Sequence, residues 1–181
     1  MSSIPKKLES FISDKNKSSH WKKYLHKNFE YKDPFNFSGF GSFEKKKFFS
    51  SILHRILAKI CYKKNIFSTK TFDYFETLYN KNNIQINNDV IRHAFTSELL
   101  KDKIPEPKNI CLIGDGKANG FLAIKANFKN SKIFSVNLPE ILINDYFVLK
   151  QLELINDNEI QIIEDENNNM DNSKNIFFIP S

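Results

Sequence analysis

The sequence predicts an α/β fold built on a parallel sheet and preceded by a helical segment. Three observations predict it. Apolar residues recur at helical spacing through residues 1–104, short apolar runs alternate with helical stretches from residue 109 onward, and three of the five glycines fall at the first strand-to-helix junction. The rhythm changes at Lys103-Ile104-Pro105-Glu106-Pro107, where two prolines in three residues cannot continue a helix. That break divides a helical amino-terminal segment, 1–104, from a partial α/β domain, 105–181.

In chain order, Trp21, Tyr24, Leu25 and Phe29 predict a helix from Ser18 to Phe29, and Pro34, Gly39 and Gly41 predict a loop over 31–42. From Ser42, a potential cap, to Tyr62, the residues Phe48, Phe49, Ile52, Leu53, Ile56, Leu57 and Ile60 repeat at three and four. They form the clearest amphipathic helix of the chain. Phe72, Phe75, Leu78 and Tyr79 place a shorter helix over Thr71–Tyr79, and Val90, Ile91, Ala94, Phe95 and Leu99 place another over Asn88–Leu100. Asn109–Ile113 reads as a buried strand, followed by a Gly-rich turn and a helix from about Ala118 to Phe128. Lys132–Val136 is a second strand, and Pro139 suits the first turn of a helix running to about Leu154. Glu159–Ile163 and Ile176–Ile179 are the third and fourth strands, with a polar, Asn-rich loop over 164–174. Strands and helices alternating at this spacing predict a parallel sheet with right-handed crossovers.

The chain has 181 residues, of which 40% are hydrophobic and 14% aromatic, enough to bury a core and to argue against global disorder. Its net charge of +6 is uneven: residues 1–108 sum to +10 and residues 109–181 to −4. A basic front half could attract nucleic acid, but its lysines are scattered and Arg55 and Arg92 are the only arginines, so a solvated Lys-rich surface is the stronger reading. Abundant Lys, Asn, Ile and Phe also fit an AT-rich genome. Cys61 and Cys111 form no disulfide framework and no zinc-ligand spacing, and no metal site is expected; Cys111, inside an apolar run, reads as a buried thiol. The amino terminus lacks the apolar core of a signal peptide, and no apolar stretch approaches the ~20 residues needed to cross a bilayer. A cytoplasmic protein without a membrane span is the expectation.

The chemistry-bearing motif is the glycine cluster Gly114, Gly116 and Gly120. Glycine weakens regular structure, so its clustering at a strand-to-helix junction needs a reason, and close approach of a ligand is one. Gly114 permits a sharp turn off the strand, and Gly116 lets the backbone approach a nucleotide without a Cβ in the way. The following helix amino terminus offers unpaired N–H groups. The spacing Gly114-x-Gly116-x-Ala118 is not the full dinucleotide fingerprint, in which the last glycine would fall at Asn119. Asn137 ends the second strand, where an acidic residue commonly holds ribose hydroxyls; its amide can donate and accept, and Glu140 is a nearby substitute. Asp115 disfavours a pyrophosphate and suits S-adenosylmethionine, which carries a sulfonium, an ammonium and a carboxylate; Lys117 offsets part of that charge.

Ile110-Cys111-Leu112-Ile113-Gly114-Asp115-Gly116, followed by a helix and then Lys132-Ile133-Phe134-Ser135-Val136-Asn137-Leu138-Pro139-Glu140, resembles the putative sugar O-methyltransferase family. The resemblance covers roughly residues 105–181, and the front half only loosely as a helical preface. It implies a class I, Rossmann-like fold, S-adenosylmethionine as methyl donor and a small-molecule or glycan sugar as acceptor. Gly114, Asp115, Gly116 and Ala118 would then line the methionine and adenosine side of the donor, with Asn137 at the ribose. Two positions depart from the pattern: Leu112 stands where many methyltransferases place an acidic residue, and Ala118 stands where a glycine is common.

The resemblance also implies more strands than the four found here. The expectation is a carboxyl-terminally incomplete sheet that is inactive alone: a fragment of an enzyme in the favoured reading, or else a frameshifted relic or a chain completed by a partner. His20, His26, His54 and His93 all lie in the front half, and none is assigned as a catalytic residue. Two other readings stay open. One is an NAD- or nucleotide-sugar-binding enzyme on the same fold; the other is a basic nucleic-acid-binding module, which would bind with steep salt dependence.

Overall fold

The computed structural model describes residues 3–13, 15, 17–19, 21–22, 47–62, 66–165 and 169–181. Most of the helix expected over Ser18–Phe29, the loop over 31–42 and the cap at Ser42 lie outside these residues, as do His20 and His26. The described elements run α1 (Ser3–Glu9), α2 (Phe48–Cys61), α3 (Lys70–Lys81), α4 (Asn88–Lys103), β1 (Asn109–Ile113), α5 (Asn119–Asn127), β2 (Lys132–Asn137), α6 (Pro139–Gln151), β3 (Ile160–Ile162) and β4 (Ile176–Pro180). Short 3₁₀ turns occupy Ile66–Ser68 and Asp157–Glu159.

The fold is α/β with a wholly parallel four-stranded sheet in the order β1-β2-β4-β3. Parallel neighbours need long connections. The crossover from β2 to β3 contains α6, whereas β3 reaches β4 through a polar loop. That loop is tied back on itself: Gln161 Nε2 donates to the Asn169 carbonyl at 2.9 Å, and the Asp171 amide donates to Gln161 Oε1 at 2.8 Å.

The chain forms two compact units, and they cut it differently from the break near residue 105. One unit contains α1, the sheet, the loop 114–118 and α6. Its core is Ile133, Ile176, Phe177 and Phe178 from the sheet with Ile141, Leu142, Ile143, Val148 and Leu149 from α6, all nearly inaccessible. Phe134 and Phe177 stack on neighbouring strands, ring centroids 4.6 Å apart. α6 starts with Pro139 at its first turn, as predicted, and is buried on almost every side. α1 packs against it through Ile4 and Leu8.

The second unit contains α2–α5. Thr69 caps α3 by accepting from the Phe72 amide, and Asn87 caps α4 by accepting from the amides of Asp89 and Val90. α3, α4 and α5 bury Phe72, Phe75, Tyr79, Val90, Ile91, Ala94, Phe121 and Leu122 between them. A polar network locks the same three helices. The Thr71 hydroxyl donates to Glu98, and Asn127 Nδ2 donates to Thr71 Oγ1 at 2.7 Å and Ser97 Oγ at 3.0 Å. α5 joins this unit although it follows β1, because its apolar side chains meet α3 and α4; this is why a boundary drawn from local rhythm does not coincide with the compact units.

Two expectations need correction, a buried β1 and a buried Cys111. Among the described residues β1 is an edge strand that pairs with β2 alone, and it is not buried: Ile113 is 81% exposed. Cys111 on the same strand is exposed for the same reason. The amphipathic helix expected between Ser42 and Tyr62 is α2, and much of its apolar stripe is exposed: Phe49 is 85% and Ile60 76% exposed, and among the described residues of the helix Ala58 is the buried one. Periodicity shows that a helix has an apolar face; it does not say what covers that face.

Candidate functional site

The site predicted from the sequence lies wholly in the sheet-containing unit, at the carboxyl ends of β1 and β2, where open α/β sheets commonly bind ligands. β1 ends at Ile113, and Gly114 turns the chain off the sheet with φ +71°, a left-handed conformation that favours glycine. The Gly114 amide still donates to the Val136 carbonyl at 3.0 Å, so the start of the loop is pinned to β2. Asn137, the last residue of β2, pins it again: its Nδ2 donates to the Asp115 carbonyl at 2.9 Å, and its Oδ1 accepts from the Leu138 amide at 3.0 Å. Asn137 therefore meets the loop directly, and both ends of its amide already bind backbone.

Gly116 differs from Gly114. Its φ is not left-handed, and a Cβ placed there would meet no atom within 4 Å. Neither backbone conformation nor internal packing requires glycine at 116; open space lies in front of it.

The interior side of the loop is polar and closed. Asp115 is 7%, Lys117 1% and Ala118 0% exposed. Ala118 holds φ +56°, an uncommon conformation for a residue with a Cβ. Its amide donates to the carboxyl group of Asp145 on α6. Asp145 is 2% exposed, and its Oδ1 has no hydrogen-bond partner among the described residues. Burial pushes the Asp145 carboxyl well above the usual carboxylate range, and the neighbouring Asp115 charge adds to the rise; the Ala118 amide and the Lys117 charge oppose it without cancelling it.

Gly114, Asp115, Gly116, Ala118 and Asn137 are thus brought together. Glu140 is not open to a ribose in this arrangement: it is buried in the first turn of α6 and ion-paired with the equally buried Lys17. Asp145 was missed by the sequence reading. The available signal was the polar pair Asn144-Asp145 interrupting an otherwise apolar helical run.

In the second unit, Asn119 accepts from the Tyr79 hydroxyl and donates to Asp89 Oδ2 at 2.9 Å, while Arg92 pairs with Asp89 at 2.6 Å. His93 Nε2 lies 3.7 Å from Asp89 and 3.0 Å from the Arg92 guanidinium. A small cleft there is lined by Ser51, Arg55, Glu76, Asn80, Ile84 and Ile86, with Arg55 paired to Glu76. Among the described residues no cluster of three or more His, Cys, Asp or Glu side chains could hold a metal ion, and no helix is long and apolar enough to cross a membrane. Comparison with protein-family models, with curated proteins and with solved structures finds no match to this chain.

Proposed function

We propose that this chain carries the S-adenosylmethionine-binding part of a Rossmann-like methyltransferase that acts on a sugar hydroxyl. The observation that carries the reading is Gly116: a glycine that the fold does not need, with open space before it, in a loop held rigidly at the carboxyl ends of two parallel strands. Asp115 adds charge selectivity, since a buried carboxylate in the loop disfavours a pyrophosphate and tolerates a sulfonium or ammonium group. When bound, S-adenosylmethionine supplies an electrophilic methyl group. In this reading Gly114 and Gly116 admit the ligand to the backbone, Asp115 and Ala118 shape the methionine side, and Asn137 fixes the loop beside the ribose. The sugar acceptor rests on the resemblance of residues 110–116 and 132–140 to sugar O-methyltransferases.

The contrast between the two glycines tests the reading. Gly116→Ala meets no strain and no clash, so its thermal midpoint should match that of the unaltered protein. Its affinity for S-adenosylhomocysteine, measured by titration calorimetry, should nevertheless fall about tenfold or more. Gly114→Ala forces a side chain into a left-handed conformation and should cost about 1–2 kcal/mol of stability as well. Unaltered affinity in Gly116→Ala would remove the reason for assigning the loop to a ligand.

A further inference from the structure

The helical unit turns outward an apolar surface that the methyl-donor reading does not use. α2 is held to its neighbours by its less apolar side. Ser51 Oγ donates to Gln85 Oε1 at 3.2 Å, and the Lys47 amide donates to the same oxygen at 2.8 Å. Arg55 pairs with Glu76 on α3 and lies over the rings of Phe67 and Phe72, 5.7 and 5.5 Å from their centroids. Ala58 is buried. Ser51, Arg55 and Ala58 recur at four and three, so they share one face of the helix. Tyr62, directly after the helix, meets Phe95 of α4 with ring centroids 4.6 Å apart.

The opposite face carries Ile52, Leu53, Ile56, Leu57 and Ile60, which are 39–76% exposed. At 3.6 residues per turn these positions fall within an arc of about 140°. The usual surface helix points such a stripe at the core, and α2 reverses that arrangement. A contiguous apolar patch left in water marks an interaction surface.

Charge decides what the surface fits. Between Glu44 and Asp73 the sequence holds eight Lys or Arg residues and no acidic residue. On α2 itself Lys59, three residues after Ile56, borders the stripe, and Lys47 stands at the amino-terminal end; both are exposed. A second copy of the chain would bring two such helices together with like charges opposed. The boundary between acyl chains and anionic headgroups suits the face better: aliphatic side chains enter the apolar side, and lysines extend their stems along it to reach the phosphates.

We propose that α2 is a membrane-contact helix, whose outward aliphatic face enters the interfacial layer of a bilayer carrying anionic lipids. The helix lies in the plane of the surface and does not span it: its 14 residues reach about 21 Å, short of the hydrocarbon core. Ser51, Arg55 and Ala58 keep it attached to the rest of the helical unit while the opposite face is in lipid. The inference is independent of the methyl-donor reading, since it concerns the helical unit and not the glycine loop.

The test is co-sedimentation of the whole chain with vesicles of phosphatidylcholine alone and of phosphatidylcholine mixed with phosphatidylglycerol, at low and at high salt. The expected result is binding to the mixed vesicles, at least tenfold weaker binding to phosphatidylcholine, and loss of the difference as salt screens the headgroups. Leu53→Gln combined with Ile56→Gln removes apolar area from the exposed face and keeps good helix formers. It should leave the thermal midpoint in place and weaken vesicle binding tenfold or more. Ile60→Trp gives a second measurement that does not depend on that variant. On mixed vesicles containing brominated lipid, its fluorescence should be quenched beyond that of the unaltered protein. No binding to mixed vesicles at low salt, binding that the double variant retains, or no added quenching in Ile60→Trp would each overturn the proposal. A large fall in the midpoint of the double variant would mean that the face is covered within the folded chain, and would overturn it as well. Self-association in sedimentation velocity that the double variant abolishes, without vesicle binding, would assign the face to a second copy instead.

Discussion

Asp145 links a single residue to a measurable property of the whole chain. Its carboxyl is held well above its ordinary value in the folded protein by burial and by the Asp115 charge, and it returns to the ordinary value on unfolding. Between those two values the folded state binds more protons than the unfolded state, so stability falls as pH rises. The contribution is complete below the unfolded carboxylate range and is lost as pH climbs through the raised folded value. Urea denaturation of the unaltered protein and of Asp145→Asn across this range should show the difference between them shifting in favour of the variant as pH increases. A difference independent of pH would mean that Asp145 has the same affinity for protons in both states. None of this is visible locally in the sequence. Asp145 looks like the polar face of an amphipathic helix, and only the burial of α6 on nearly all sides turns that position into an interior one. Gly114 was legible, because a glycine directly after an apolar strand predicts a left-handed turn, and the turn is there.

At the scale of elements, periodicity and punctuation located most of the structure. The helices expected over Thr71–Tyr79 and Asn88–Leu100 are α3 and α4, each a few residues longer, and Pro139 opens α6. The strands expected at Lys132–Val136 and Ile176–Ile179 are β2 and β4, each one residue longer. What local pattern could not supply is pairing. The placement of β4 between β2 and β3 depends on contacts far apart in sequence, and so does the exposure of β1. The ion pair of Lys17 with Glu140 is of the same kind: it spans 123 positions and closes over the first turn of α6. Both side chains are about 95% buried, so removing one partner leaves a charge without compensation. Lys17→Ala should therefore lose about 3–5 kcal/mol of unfolding free energy in urea denaturation, far more than an exposed pair such as Arg55 with Glu76 would lose. A loss below about 1 kcal/mol would mean that the pair is solvated in solution.

For the whole molecule, the sequence conveys fold class better than it conveys which parts belong together. The α/β alternation after residue 108 and the parallel sheet are both present. The proline break near residue 105 marks a real change of element type, yet α5 packs with α3 and α4 of the front half, so compactness follows burial and not chain order. The candidate site was legible as a cluster of glycines beside Asp115, Lys117 and Asn137; Asp145, on its underside, emerged only when α6 was laid against the loop. The central claim is that this loop binds the methyl donor in preference to a dinucleotide. A thermal unfolding scan of the chain with S-adenosylhomocysteine and, separately, with NAD tests it most directly, because a ligand that binds only the folded state raises the midpoint by mass action. The account predicts a cooperative transition raised by S-adenosylhomocysteine and unmoved by NAD. A midpoint raised by NAD alone would contradict it.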